Sequence, residues 1–210
     1  MNKITFRGYT ALSRGAMAAL VAALPATLLP ASQALAAENA IARLNYAGLS
    51  RRSHCTASLI GPSRLLTARH CIENRPRRDL RVVFGYDRGE WVELRKVKSI
   101  HPHKSRDIAV ICLDKRSAQK PLPMGDVKGL AKLSTADVTG YRRSKAHITT
   151  TLTCALQKGR TRARMECPVE PGMSGSPVRV DGKIVGVMAS TSKAFSVATL
   201  ADDLPDAPCK

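Results

Sequence analysis

The chain has 210 residues, of which 44% are hydrophobic and only 4% aromatic. That apolar share excludes a wholly disordered chain, and so few rings exclude an aromatic stacking platform for single-stranded nucleic acid. The formal charge of +18 suits anionic partners such as envelope polymers or acidic substrates and equally serves solubility; charge alone specifies no nucleic-acid partner.

The chain opens with Lys3, Arg7 and Arg14 and no acid, followed by an apolar run from Gly15 that continues to Leu29. Ala34-Leu35-Ala36 then supplies the small residues a signal peptidase reads, so residues 1–36 are predicted to be a signal peptide. Pro25 and Pro30 leave the run short of the ~20 apolar residues of a membrane span, and no later stretch is longer. The expectation is a secreted or periplasmic protein with no transmembrane segment after signal removal. Residues 37–43 would form its mature N-terminal segment.

Cys55, Cys71, Cys112, Cys154, Cys167 and Cys209 all follow that segment. An even count in an exported chain favours disulfides, and sequence arithmetic leaves many pairings open. His54-Cys55 and His70-Cys71 repeat a His-Cys pair, but the spacing fits no common zinc pattern, so no metal site is expected.

The remaining pattern is one of strands and turns. Residues 57–60 and 65–67 flank the Gly61-Pro62-Ser63 turn and predict a hairpin. Further strands are predicted over 80–84, over the alternating Val92-Glu93-Leu94-Arg95, and over the continuous apolar run 108–113. Residues 114–127 contain Pro121, Pro123 and Gly125 and read as a linker between a first unit, 44–113, and a second, 128–210. In the second unit, strands are predicted over 146–155, 177–180 and 184–188, the last two flanking the hairpin signal Asp181-Gly182. The tail from Ala201 would open with a helical turn that its two prolines keep short. Short strands without an internal repeat indicate an all-β barrel or sandwich.

Three segments carry chemistry. Thr67-Ala68-Arg69-His70-Cys71 places a histidine at a turn after an apolar strand, and Asp107 heads the apolar run Ile108-Ala109-Val110. Gly172-Met173-Ser174-Gly175-Ser176-Pro177 flanks a serine with glycines that let the backbone turn sharply. Alone, each reads as readily as a structural histidine, a capping acid and a flexible loop. Together they supply a weak hydroxyl nucleophile, a base with a pKa near working pH, and an anion to fix the tautomer of that base. The backbone N–H groups of Gly172 and Ser174 could receive the negative charge of an oxyanion.

These blocks, in the order His, Asp, Ser, resemble the active-site blocks of chymotrypsin-like (trypsin-fold) serine proteases. The Ser-Gly-Ser-Pro ending is similar to that of bacterial secreted members, and Val138-Thr139-Gly140-Tyr141 resembles the strand that opens their second barrel. The resemblance implies two packed six-stranded antiparallel β-barrels with a short C-terminal tail or helix. It assigns His70 as general base, a buried Asp107 as its orienter and Ser174 as nucleophile, in a cleft between the barrels, with no cofactor. It also implies a Cys55–Cys71 disulfide around the histidine loop and a Cys154–Cys167 pair, which leaves Cys112 with Cys209.

Two departures stand out. Met173 occupies the place where digestive members carry an activating aspartate, so other contacts must order the oxyanion loop. Pro168 and Met188 stand where relatives carry residues that select basic or glutamyl substrates, while Ala189, Ser190 and Thr191 would be the edge that pairs with the substrate backbone. Arg142, Arg143, Lys145, Lys158, Arg160, Arg162 and Arg164 suit acidic substrates or an anionic surface, and equally a solvated face. The function expected is serine endopeptidase activity on protein or peptide substrates. The alternative is a catalytically idle protease-fold binding protein with a basic surface.

Overall fold

The computed structural model describes residues 39–46, 53–191 and 195–209. The predicted signal peptide lies outside the described residues. Twelve strands form two closed antiparallel barrels. The first contains β1 (Ile41–Tyr46), β2 (His54–Gly61), β3 (Arg64–Thr67), β4 (Leu80–Phe84), β5 (Glu93–Pro102) and β6 (Ala109–Leu113), in the order β1-β2-β3-β6-β5-β4. The second contains β7 (Leu133–Tyr141), β8 (Thr149–Lys158), β9 (Arg162–Glu166), β10 (Pro177–Val180), β11 (Lys183–Thr191) and β12 (Ser196–Leu200). Its order, β10-β11-β12-β9-β8-β7, repeats the path of the first barrel, although the two halves share no recognisable sequence repeat.

Each barrel buries its own apolar cluster. Leu44, Leu59, Leu65, Phe84, Ile111 and their neighbours fill the first, and Val138, Leu156, Met165, Val178 and Leu200 help fill the second. Tyr141, Ile184 and Val187 of the second barrel pack into the first cluster, so the two barrels share an apolar seam. The alternation in β9 shows why such strands form: Ala163 and Met165 are buried while Arg162, Arg164 and Glu166 face out.

Strand β1 departs from the simple pattern. All six of its residues are buried, Arg43 and Asn45 included. These two polar residues share one face by the period of two, and there the Arg43 guanidinium meets Asn45, His54 and the Tyr86 ring.

Disulfides join Cys55 to Cys71, Cys112 to Cys209, and Cys154 to Cys167. The tail differs from expectation. Residues 201–209 contain no helical turn, because Pro205 and Pro208 each lack a donor, and the segment is held instead by the Cys112–Cys209 bond and by Ala207 packed into the first cluster.

Candidate active site

His70 sits in a single 3-10 turn, Arg69–Cys71, at the end of β3. The disulfide from Cys71 to Cys55 in β2 anchors that turn to the barrel. Arg69 ties it to the loop before β6 by donating to the carbonyls of His103 and Lys104 at 3.2 and 3.0 Å, while Glu73 accepts from the same guanidinium at 2.7 Å. His103 shapes that loop in turn. Its Nδ1 accepts from the amides of Ser105 and Arg106, each at 3.1 Å, so its proton lies on Nε2, which donates to Asp203 at 3.2 Å.

Asp107 follows, and its carboxylate meets His70 twice. Oδ1 accepts the backbone N–H of His70 at 2.9 Å and Oδ2 accepts Nδ1–H at 2.8 Å. A carboxylate only accepts, so Nδ1 carries a proton, and in the neutral ring Nε2 keeps its lone pair; Nε2 lies 3.8 Å from Cys71 Sγ, whose sulfur is spent in the disulfide. Partial burial alone would raise the pKa of Asp107, but the side-chain and backbone hydrogen bonds from His70 outweigh it and hold the carboxyl below its ordinary value. The sequence reading expected a buried aspartate. Its side chain is 29% exposed, because it lies at the rim where the loop enters β6.

Ser174 lies in the loop between β9 and β10 and is half-buried. Its carbonyl accepts the amide of Thr56 at 2.8 Å, and the next amide, Gly175 N–H, donates to Met188 at 2.7 Å. Gly175 has φ +80°, and a Cβ there would stand 2.2 Å from both Thr56 O and Thr67 Oγ1 and 3.0 Å from Ala68 N. The serine loop is thus pressed against the strand end that leads into the His70 turn. Among the described residues no hydrogen bond joins Ser174 Oγ to His70 Nε2.

The same loop orients two amides. In a trans peptide the C=O of one residue and the N–H of the next point in opposite directions. The carbonyl of Pro171 is fixed by Arg143 N–H at 2.8 Å, and that of Met173 by Ser176 N–H at 2.9 Å. These anchors aim the N–H groups of Gly172 and Ser174 away from them. Neither amide donates to a protein acceptor among the described residues, whereas Met173, Gly175 and Ser176 all do. Met173 itself is fully buried in the second apolar cluster. Glu170 braces the loop from outside. Its carboxylate pairs with Arg142 and accepts the Ser144 amide at 3.3 Å, and its pKa is lowered, first by its hydrogen bonds to Ser144.

The sequence profile of the trypsin-like peptidase domain matches residues 55–187, more than half of the chain. The chain belongs to the trypsin-like peptidase family. Solved structures agree on the fold. The VesB protease of Vibrio cholerae superposes with a TM-score of 0.68 at 19% identity, over 80% of this chain and 62% of that one. A Glu endopeptidase solved in complex with MPD matches with a TM-score of 0.68 at 22% identity, over 78% of this chain and 85% of that one. The scabies mite inactivated protease paralogue S-I1 also matches with a TM-score of 0.68, at 17% identity, over 79% of this chain and 90% of that one. No curated protein matches the sequence. An inactivated paralogue with the same fold means that activity in this trypsin-like peptidase rests on its own site residues.

The segment expected to bind substrate is more constrained than the sequence implied. Met188 is 2% exposed and packs in the second cluster, and its amide donates to Ser176. Residues 189–191 belong to β11, where Ser190 and Thr191 register with Val197 and Ser196 of β12, so that side is not a free edge. On the opposite side, pairing with β10 ends at Val187, and the last contacts are those of Met188 with Gly175 and Ser176. The open edge therefore begins beside Ser174.

Three possible metal donors, Cys55, His70 and Cys71, lie within 4.8 Å of one another. Both sulfurs are spent in a disulfide, which leaves a single imidazole and no thiolate to bind an ion. Sequence reasoning missed Thr56 and read His54 only as half of a His-Cys pair and Arg142 only as surface charge, because what they do depends on partners far along the chain.

Proposed function

We propose that this trypsin-like peptidase is an exported serine endopeptidase. Ser174 is the nucleophile, His70 the general base and acid, Asp107 its orienter, and the amides of Gly172 and Ser174 form the oxyanion hole. His70 Nε2 takes the Ser174 hydroxyl proton as Oγ bonds to the peptide carbonyl carbon, and the carbonyl electron pair moves onto oxygen. Collapse of that intermediate breaks the C–N bond, and the amine leaves with the proton from His70. Water repeats the sequence and releases the acid.

The observation that carries this reading is the pair of outward amides flanking a serine whose loop is packed against the histidine turn. Within residues 172–176 the amides of Gly172 and Ser174 alone lack a protein acceptor, which leaves both able to receive an oxyanion. Three disulfides support an oxidising, exported setting, and no described helix is long and apolar enough to cross a membrane. The open edge at 189–191 suits an extended peptide. Arg160 and Arg162 line a recess of about 330 Å³ with Ser105 and Arg106, and their charge favours acidic segments near the cleft.

The test is labelling with a fluorophosphonate probe together with turnover of a peptide library. Wild-type protein should label at Ser174 and cleave, and Ser174→Ala should do neither. A folded sample that takes no label is an idle protease-fold binder instead.

A further inference from the structure

The oxyanion loop has no acidic residue beside its serine, because Met173 is buried among apolar side chains. Its geometry must be imposed by something else. Against Gly172 lies a chain of buried polar groups that runs from the first barrel into the second.

The chain begins at Arg43 in β1, which is 1% exposed. Its guanidinium donates to Asn45 Oδ1 at 2.8 Å and faces His54 Nδ1 at 3.3 Å. A guanidinium has only donors, so His54 Nδ1 accepts and the ring carries its proton on Nε2. That Nε2–H donates to the carbonyl of Tyr141 at 3.1 Å, an acceptor only, so both ends of the ring demand the same tautomer. The amide of Tyr141 then donates to Thr56 Oγ1 at 3.0 Å, and the Thr56 hydroxyl donates to the carbonyl of Gly172 at 3.0 Å. With its amide on Ser174 O and its carbonyl accepting from Thr67 Oγ1 at 2.8 Å, every polar atom of Thr56 is engaged.

Gly172 leans on this chain at close range. A Cβ at that position would lie 2.5 Å from Tyr141 O and 2.6 Å from His54 Nε2, and its φ of +97° is a glycine conformation. Thr56 therefore holds the 172–173 and 174–175 peptides, one through Gly172 O and one through Ser174 O, and the peptide that carries the Ser174 N–H is clamped between them.

We propose that Thr56 is a positioning residue for the oxyanion hole, with Arg43 and His54 as its buried supports: through its hydroxyl and amide the first barrel fixes the 172–173 and 174–175 peptides, and these neighbours hold in place the peptides that present the Gly172 and Ser174 N–H groups. This rests on the protease reading given above and adds residues that touch neither substrate nor nucleophile hydroxyl. A displaced oxyanion donor weakens the transition state and leaves ground-state binding alone, so the effect belongs in kcat.

The experiment compares the wild-type chain with Thr56→Val, Thr56→Ser and Ser174→Ala. The measurements are steady-state kinetics on a cleaved peptide, inhibition by a peptide aldehyde (which forms the tetrahedral oxyanion), and thermal melting. Thr56→Val should lower kcat about 10- to 100-fold with KM within about twofold, and weaken aldehyde inhibition by a similar factor. Thr56→Ser, which keeps the hydroxyl, should recover most of both. If Thr56→Val does not fold, Thr56→Ala is read by the same measurements. Unchanged kcat and aldehyde affinity in a folded hydroxyl-less variant overturns the proposal while the protease reading stands. Wild-type protein no faster than Ser174→Ala overturns the protease reading, and the proposal with it.

Discussion

Asp107 holds His70 by two separate hydrogen bonds, one to its backbone amide at 2.9 Å and one to Nδ1 at 2.8 Å. The first places the turn and the second selects the tautomer. Asp107→Asn keeps the shape but can present an N–H donor toward Nδ1, which would move the ring proton to Nε2 and remove the base. Turnover should fall on the order of 10⁴-fold with the fold retained, and kcat on a fixed peptide checks it.

The same pair sets an acid limit on stability. The pKa of Asp107 is lowered in the folded state, so its ionised form contributes stability above the ordinary value of 3.8. That contribution fades only as pH falls below 3.8, through the lower folded value. Melting temperature measured against pH should therefore decline less steeply below pH 3.8 in Asp107→Asn than in wild type. Equal slopes in the two proteins would count against the ion pair.

The tight seam between the serine loop and β3 makes Gly175 the most sensitive glycine of the loop. Gly175→Ala would force a Cβ to 2.2 Å from Thr56 O, a backbone atom that cannot swing away. Gly182 has a similar positive φ of +74° but nothing within 4 Å, so Gly182→Ala incurs backbone strain alone. Gly182→Ala should cost about 1–2 kcal/mol and Gly175→Ala clearly more, as read from denaturant midpoints of the two variants.

How far the sequence foretold this site varies residue by residue. Strands at 80–84 and 177–180 lie where their apolar runs predicted, and the runs mark buried stretches: all of the first but Arg81, and Pro177 and Val178 of the second. Strand β1 was not legible, because Arg43 and Asn45 interrupt its apolar pattern, and their burial rests on tertiary partners such as His54 and Tyr86. Strands β9 and β12 were missed for a related reason: five residues with alanine as an inward side chain give too weak a signal. His70, Asp107 and Ser174 were each ambiguous alone and became specific through their order. The cysteine pairs were legible only through the family resemblance. Thr56 could not be foreseen, since its partners are backbone atoms of residues 85 and 116 positions away.

The three disulfides should differ in what they contribute. Cys112–Cys209 spans 97 residues, against 13 for Cys154–Cys167. On the loop-entropy argument the long closure restricts the unfolded chain more, at about 4–5 kcal/mol against about 3 for the short one. Replacing Cys112 and Cys209 by serine should lower the denaturation midpoint further than replacing Cys154 and Cys167. It should also free the tail, visible as proteolysis after residue 200 in the folded protein.

Met173 offers a direct check on how this oxyanion loop is ordered. The side chain is fully buried in the second barrel's cluster with Val138, Val178 and Met188 among its members, so apolar burial anchors the peptide before the serine. Burying a methionine contributes about 1.5–3 kcal/mol. Met173→Leu conserves volume and should cost under about 1.5 kcal/mol with turnover nearly intact. Met173→Asp, which installs the residue of digestive relatives, would place a carboxylate in that cluster. It should cost about 3 kcal/mol or more, several degrees to about 10 °C of melting temperature for a chain of this size. Turnover should fall as well, because a loop withdrawn from its anchor no longer aims the Gly172 and Ser174 amides at one point. Calorimetry and kcat on the two variants measure both effects, and a Met173→Asp protein as stable and active as wild type would show that the anchor lies elsewhere.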